Sequence, residues 1–411
     1  MARLNSARGV VVTGMGAICA LGDRPAAIYH ALCEGRSGFG APTVLPPEVA
    51  GGRQVGEVRD FTPANYVGDR NVRLLDRTGR LSVVGVGLAL ADGGWPEQKP
   101  AEPPIGAIVG TMFSGVRTIG EFDRRAQSAG PEYASPLDFS NTVLNAAAGQ
   151  VAIWYRLKGV NSTIAAGPVS GLHAIAYAAE QIRAGRAGVL VAGGVEELCF
   201  ESFQGFLAAG LLAGPPGAGP RSVPFGASRS GVVLGEGAAF LVLEAEEVAR
   251  ARGARIVGRI HGSASGFDPA ASSGSGSNGD ALARTIERAL GNSGVSAASV
   301  SAVAASASGS RAQDACEARG IRATIGSGTP VMAIKSMLGE TLGASGALNA
   351  IAVLESLCAG RLPGIPGLAE RDPGVDLAIS PDAVAITGPS ALVTAVAAEG
   401  NCGALVLGLA Q

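Results

Sequence analysis

Short apolar runs recur along the chain, bounded by glycine-rich turns and separated by stretches of helical periodicity. Val10 to Thr13 reads as a strand that ends at Gly14, and Ile105 to Gly110 as a second. Val189 to Gly194 (VLVAGG) reads as a third, preceded by a helix from about Gly171 to Ala184. Strands this uniformly apolar are covered on both faces, and their alternation with helices predicts an α/β sheet. Two segments look alike: Gly235 to Glu244 (GEGAAFLVLE) and Gly400 to Leu409 (GNCGALVLGL). Each closes roughly one half of the chain, and the sequence starts afresh near Ala254 with ARIVGRIHGSASG. This pattern fits two related halves, 1–253 and 254–411, and fits equally two ordinary buried strands. Ala270 to Gly279 (AASSGSGSNG) and Leu211 to Pro220 (LLAGPPGAGP) read as surface loops.

Composition narrows the function. The 411 residues are 47% hydrophobic and 16% charged, enough for a large core and incompatible with disorder. A formal net charge of -2, no Lys/Arg run and 4% aromatic residues argue against nucleic acid as a partner, although a local basic patch for an acidic protein remains compatible. Six cysteines without a CxxC pair give no zinc or redox motif, and reduced cysteines fit the cytoplasm. The N-terminal MARLNSARGVVVTGMG lacks a signal-peptide core, and no uninterrupted apolar run reaches the ~18 residues of a membrane span, so the chain is expected to be soluble.

Catalytic chemistry is notable for what is missing. The three histidines, His30, His173 and His261, form no HExxH pair, and each reads first as a packing or capping residue. There is no GxSxG, no Walker loop and no GxGxxG after a strand. The positive signal is Asn161 to Ile175, NSTIAAGPVSGLHAI. It resembles the nucleophile elbow of β-ketoacyl-ACP synthases, where a strand delivers a cysteine to the positive N-terminus of a helix opening SGxHAI. Here Pro168 stands at the cysteine position, and Ser170 to Ile175 match the helix start.

The resemblance runs over residues 9–409. VVVTGMGAICALG is similar to the family's opening strand and turn; Pro136, Asn145 and Gly149 match the stretch before the elbow; Pro224 to Glu244 resembles its PFD…RDGFV.GEGAG segment, which includes Glu236. The first histidine motif reads ASASGSRAQDACEA from Ala305, with Ser306 at the histidine position. The second reads KSMLGETLGASGA from Lys335, with Glu340 replacing the histidine and Lys335 retained. In active members the cysteine holds the acyl chain and the histidines stabilise the enolate formed on decarboxylation. The gating loop is degenerate as well: Val396, Ala397, Ala398 and Glu399 stand where GFGG is expected.

Intact surroundings with a replaced centre resemble the chain-length factor (KSβ) of bacterial type II polyketide synthases. That resemblance implies a thiolase fold of two similar halves in five layers, αβαβα, inactive alone. It implies no metal and no cofactor of its own, since phosphopantetheine arrives on an acyl carrier protein. The implied partners are an active ketosynthase, as a heterodimer, the carrier protein and the growing polyketide chain; neither nucleic acid nor membrane is among them. The implied chain-length gate comprises Met112, Phe113, Leu137 and Phe139, with Val189 to Ala192 near the subunit contact. Pro168 in place of the glutamine of aromatic-polyketide factors points to a polyene-type system. Two alternatives stand beside this reading: an acyltransferase or decarboxylase with a relocated nucleophile (Ser170 or Cys199), and a homodimeric scaffold.

Overall fold

The computed structural model describes residues 8–68, 72–95, 102–215, 223–272 and 277–410. The first half contributes β1 (Val10–Cys19), β2 (Ile105–Gly110), β3 (Asn161–Ile164), β4 (Val189–Glu196) and β5 (Gly237–Ala245). The second contributes β6 (Gly258–Phe267), β7 (Val300–Ala304), β8 (Val331–Met332), a small ribbon of β9 (Arg361–Leu362) with β10 (Val384–Ala385), β11 (Ser390–Val396) and β12 (Asn401–Gly408).

The sheet order is β3-β2-β4-β5-β1 followed by β6-β12-β11-β7-β8. Reading each half outward from the seam, β1, β5, β4, β2, β3 correspond to β6, β12, β11, β7, β8. The strand directions correspond too: the two pairs nearest the seam are antiparallel and the two outer pairs parallel. The look-alike segments GEGAAFLVLE and GNCGALVLGL therefore form equivalent strands, β5 and β12. Val10 to Val12 pair antiparallel with Gly258 to Ile260 and join the halves.

Alternation along the strands sorts side chains into layers. Ile105, Ala107 and Val109 of β2 join an outer core with the helices Arg77–Asp92 and Ala146–Tyr155, whereas Ile108 points to a central core. A second outer core lies under the helices Asp280–Ser293 and Arg311–Ile325. Between the two five-stranded halves of the sheet, the helices Ser170–Arg183 and Ser345–Ala359 pack on each other and on strands of both halves. The result is the five-layered thiolase fold.

Several sequence expectations need correcting. β1 does not end at Gly14: it continues to Cys19 past a register shift between Val12 and Gly14. A Cβ at Gly14 would lie 2.4 Å from the carbonyl oxygen of Ala89, and one at Gly16 would lie 2.3 Å from its nitrogen, so the glycines admit the helix Arg77–Asp92 to the strand. His261 lies within β6. Val189 to Ala192 are fully buried in β4, flanked by β2 and β5; the edge of the first half is β3, partly exposed. The segment Leu342–Ala359 has the length and mean hydropathy (1.4) of a membrane span, but 83% of it is buried inside the fold as the central layer. Parts of both expected loops, residues 216–220 and 273–276, lie outside the described residues.

Candidate functional site

The elbow is built from β3, Gly167 in a left-handed conformation (φ +67°), Pro168 and the start of the helix Ser170–Arg183. The Ser170 hydroxyl donates to the Gly167 carbonyl at 2.6 Å and accepts the Ala166 N–H at 2.8 Å, which closes the turn. A Cβ at Gly194 would lie 2.0 Å from the Gly343 carbonyl oxygen and one at Gly171 2.4 Å from it, so glycines on the first half let the second half's motif loop approach the elbow. Pro168 brings to this turn neither a nucleophilic atom nor an N–H.

Ser306 and Glu340, the two expected histidine positions, converge on one lysine. Lys335 Nζ lies 2.6 Å from Glu340 Oε2 and donates to Ser306 Oγ at 3.1 Å. Glu340 Oε1 accepts the Leu342 N–H at 2.9 Å. Ser306 is held in turn by Glu317, which accepts its N–H at 2.8 Å and the Thr394 hydroxyl at 2.6 Å. Burial pushes the Glu317 carboxyl up to about 7, against those hydrogen bonds and the Lys335 charge. Lys335, Glu340 and Ser306 are all buried. The centre is thus a balanced buried ion pair rather than a pair of imidazoles.

Pro168 and Glu340 face a cavity of about 650 Å³, and Ser306 is joined to it through Lys335. Met112, Phe113, Phe206 and Leu342 supply apolar walls, and Val396, Ala398 and Glu399 form part of the rim. Residues 7–249 match the family model described as β-ketoacyl synthase, N-terminal domain, and residues 257–368 match β-ketoacyl synthase, C-terminal domain. The chain belongs to the β-ketoacyl synthase family. A 3-oxoacyl-[acyl-carrier-protein] synthase 2 from Synechocystis sp. is 31% identical over 385 residues, 92% of either protein. Among solved structures, the ishigamide ketosynthase/chain length factor superposes with a TM-score of 0.92 at 30% identity, covering 99% of this chain and 100% of that one. A β-ketoacyl synthase from Burkholderia phymatum STM815 gives 0.90 at 28% identity, covering 98% and 100%.

Within this family fold, the four expected gate residues separate. Met112 and Phe113 line the cavity, directly after β2. Leu137 and Phe139 do not: they are 71% and 61% exposed, and Phe139 rests on Phe122 at a ring-centroid distance of 6.0 Å. A short helix, Pro136–Phe139, carries them on the outside of the chain. The expected gating loop falls at the turn between β11 and β12. Val396, Ala398 and Glu399 reach the cavity, while Ala397 is buried and its N–H bonds the Asn401 carbonyl. The Glu399 carboxylate lies over Gly167, where a Cβ would come within 2.0 Å of it. Glu236 is fully buried, paired with Arg77 at 2.7 Å and accepting the Val58 and Leu198 N–H groups. Its role here is to tie segments together.

The candidates for a relocated nucleophile fare poorly. Ser170 is committed to the turn. The Cys199 thiol is pushed up to about 12, first by burial and then by the nearby Glu197 carboxylate, so it holds its proton. None of the three histidines lines the cavity; His173 faces the Cys402 carbonyl at 3.3 Å, and burial lowers its pKa. Among the described residues no group of acidic, histidine or cysteine side chains could hold a metal. Sequence reasoning missed Phe206 and Leu342 as wall residues and Glu196 at the end of β4. A carboxylate terminating the all-apolar VLVAGGVE strand was the available signal for Glu196.

Proposed function

We propose that this chain is the non-condensing, length-setting subunit of a ketosynthase pair, acting on a growing polyketide of the polyene type. The observation that carries the reading is the cavity kept around the Lys335–Glu340–Ser306 cluster and Pro168. Condensation needs a thiolate to hold the acyl chain and donors aimed at the oxygen where enolate charge develops. Pro168 removes the thiolate together with a backbone donor at the elbow. Glu340 places an acceptor where a donor is required, and its partner Lys335 is engaged in neutralising it. A fold that preserves the walls and not the chemistry fits a protein retained for shape.

Support for a partner comes from Leu137, Phe139 and the helix Val116–Ala129, whose apolar positions find no core within the chain. An active ketosynthase of the same fold is the proposed occupant of that face, with the substrate delivered on the phosphopantetheine arm of an acyl carrier protein. The likeness to the ishigamide ketosynthase/chain length factor favours this assembly over a homodimeric scaffold. The test is reconstitution. The purified chain, given malonyl- and acyl-loaded carrier protein, is expected neither to self-acylate nor to condense. With an active ketosynthase it is expected to form a stable pair that makes products of defined length. Condensation by the chain alone, free of partner, would overturn the reading.

A further inference from the structure

Glu196 ends β4 and is 1% exposed. Its Oε1 accepts the Phe113 N–H at 3.0 Å and the Thr111 hydroxyl at 3.1 Å. Its Oε2 accepts the Met112 N–H at 2.6 Å and the Gly343 N–H at 3.1 Å. Thr111 Oγ1 in turn accepts the Ser114 N–H at 2.9 Å, at a residue held in a left-handed conformation (φ +52°). One carboxylate therefore holds two segments from different halves. The turn after β2 presents Met112 and Phe113 to the cavity, and the loop Glu340–Gly343 presents Glu340 and Leu342 to it.

We propose that Glu196 is the positioning residue of the chain-length gate, its carboxylate clasping the Met112–Phe113 turn to the Glu340–Gly343 loop and fixing the space between them. The proposal rests on the length-setting function above and deepens it. A strand-end carboxylate that merely satisfied nearby amides would bond within its own half. This one spans the halves, and both segments it holds line the cavity. Burial pushes its carboxyl up to about 7, opposed by its hydrogen bonds to Met112, Phe113, Gly343 and Thr111. The clasp is thus a costly feature for a side chain with no catalytic task. Neighbouring glycines leave no slack: a Cβ at Gly343 would lie 2.8 Å from Glu196 Oε2 and 2.6 Å from the Cα of Thr111.

Glu196→Gln keeps the volume and replaces one accepting oxygen by an NH2 group, which leaves at least one of the facing N–H groups without an acceptor. In the complex reconstituted with the active ketosynthase, it is expected to broaden the product distribution by at least one extension unit. Amide exchange of the 111–114 and 342–344 segments is expected to quicken about tenfold, the size of one lost charge-assisted hydrogen bond. Because Glu196 acts through Phe113, the double variant Glu196→Gln/Phe113→Ala should spread products no further than Phe113→Ala alone, whereas independent effects would add. Should Glu196→Gln fold poorly, Thr111→Val removes the hydroxyl linking Glu196 to Ser114 and is expected to shift products in the same direction by less. Unaltered product lengths in Glu196→Gln beside altered lengths in Phe113→Ala would remove Glu196 and leave the proposed function standing. Unaltered lengths in both would place length control away from Phe113 and remove the clasp's role in it, with the proposed function then decided by the reconstitution experiment. Unchanged amide exchange would refute the clasp whatever the products.

Discussion

At the residue scale the centre is governed by one balanced charge pair. Lys335 and Glu340 have side chains 2% and 7% exposed and lie 2.6 Å apart. Removing one partner of such a pair leaves the other charge buried and uncompensated, at a cost of about 3 kcal/mol or more, whereas replacing both with apolar groups of similar volume is often neutral. Glu340→Gln is therefore expected to lower stability by about that amount, and Lys335→Met/Glu340→Leu to recover most of it; chemical denaturation of the purified chain measures both. The same logic says why Pro168→Cys alone should fail to restore condensation: the new thiol meets no imidazole, only a serine and a paired glutamate. Glu317 adds a pH signature. Its carboxyl is raised from an ordinary 4.5 to about 7, so the folded state binds the proton more tightly than the unfolded chain. The stability this supplies is full below about pH 4.5 and is lost as pH rises through 7, at most about 3 kcal/mol. In Glu317→Gln this slope should be missing, and denaturation midpoints of variant and wild type between pH 5 and 8, compared pairwise, give the difference.

At the element scale, the helix Val116–Ala129 has a strongly amphipathic sequence yet buries no residue fully. Ile119, Tyr133, Leu137, Phe139, Val143 and Leu144 are exposed on this and the neighbouring segments. An apolar surface of that kind marks an interface. The contact was expected at Val189 to Ala192 from family resemblance, but β4 is interior, because β2 and β3 are laid down beyond it and β3 becomes the edge. Strand order is a long-range property, and the apolar run VLVAGG reads the same in the middle of a sheet as beside a partner. A charge placed at an exposed interface position leaves the isolated fold alone and penalises association. Leu137→Asp should accordingly weaken the complex with the active ketosynthase while changing the melting temperature of the isolated chain little. Sedimentation of the mixture and thermal melts of the single chain separate the two effects, and an unimpaired complex would exclude this face from the interface.

At the scale of the whole molecule, the duplicated architecture was partly legible. The β5 and β12 segments look alike because each must supply a buried strand beside the seam strand of its half, yet only the matching strand order shows their equivalence. The three positions expected to be replaced, Pro168, Ser306 and Glu340, stand out in sequence because long motifs flank each one. That Ser306 and Glu340 meet at Lys335, and that Glu196 spans both halves, could not, since no local pattern encodes which loops the halves bring together. The proposed gate is likewise a property of the assembly. Phe113 is half-buried and packs, as Phe206 does, against the cluster containing Leu198, Phe203 and Leu342. Leu137 and Phe139 point outward, so the chain supplies Phe113 from inside and the other two residues toward the proposed partner. Truncating Phe113 to alanine enlarges the cavity, and because the ring is only half-buried the packing cost should fall below the ~3 kcal/mol of a fully buried phenylalanine. Close-packed walls leave no slack for a longer chain, so the added room is expected to appear as one or more further extension units or a broader distribution. Phe113→Trp should shorten the product. Mass spectrometry of products from the reconstituted complex decides the matter: unchanged lengths in both variants, with the heterodimer intact, would place length control away from Phe113.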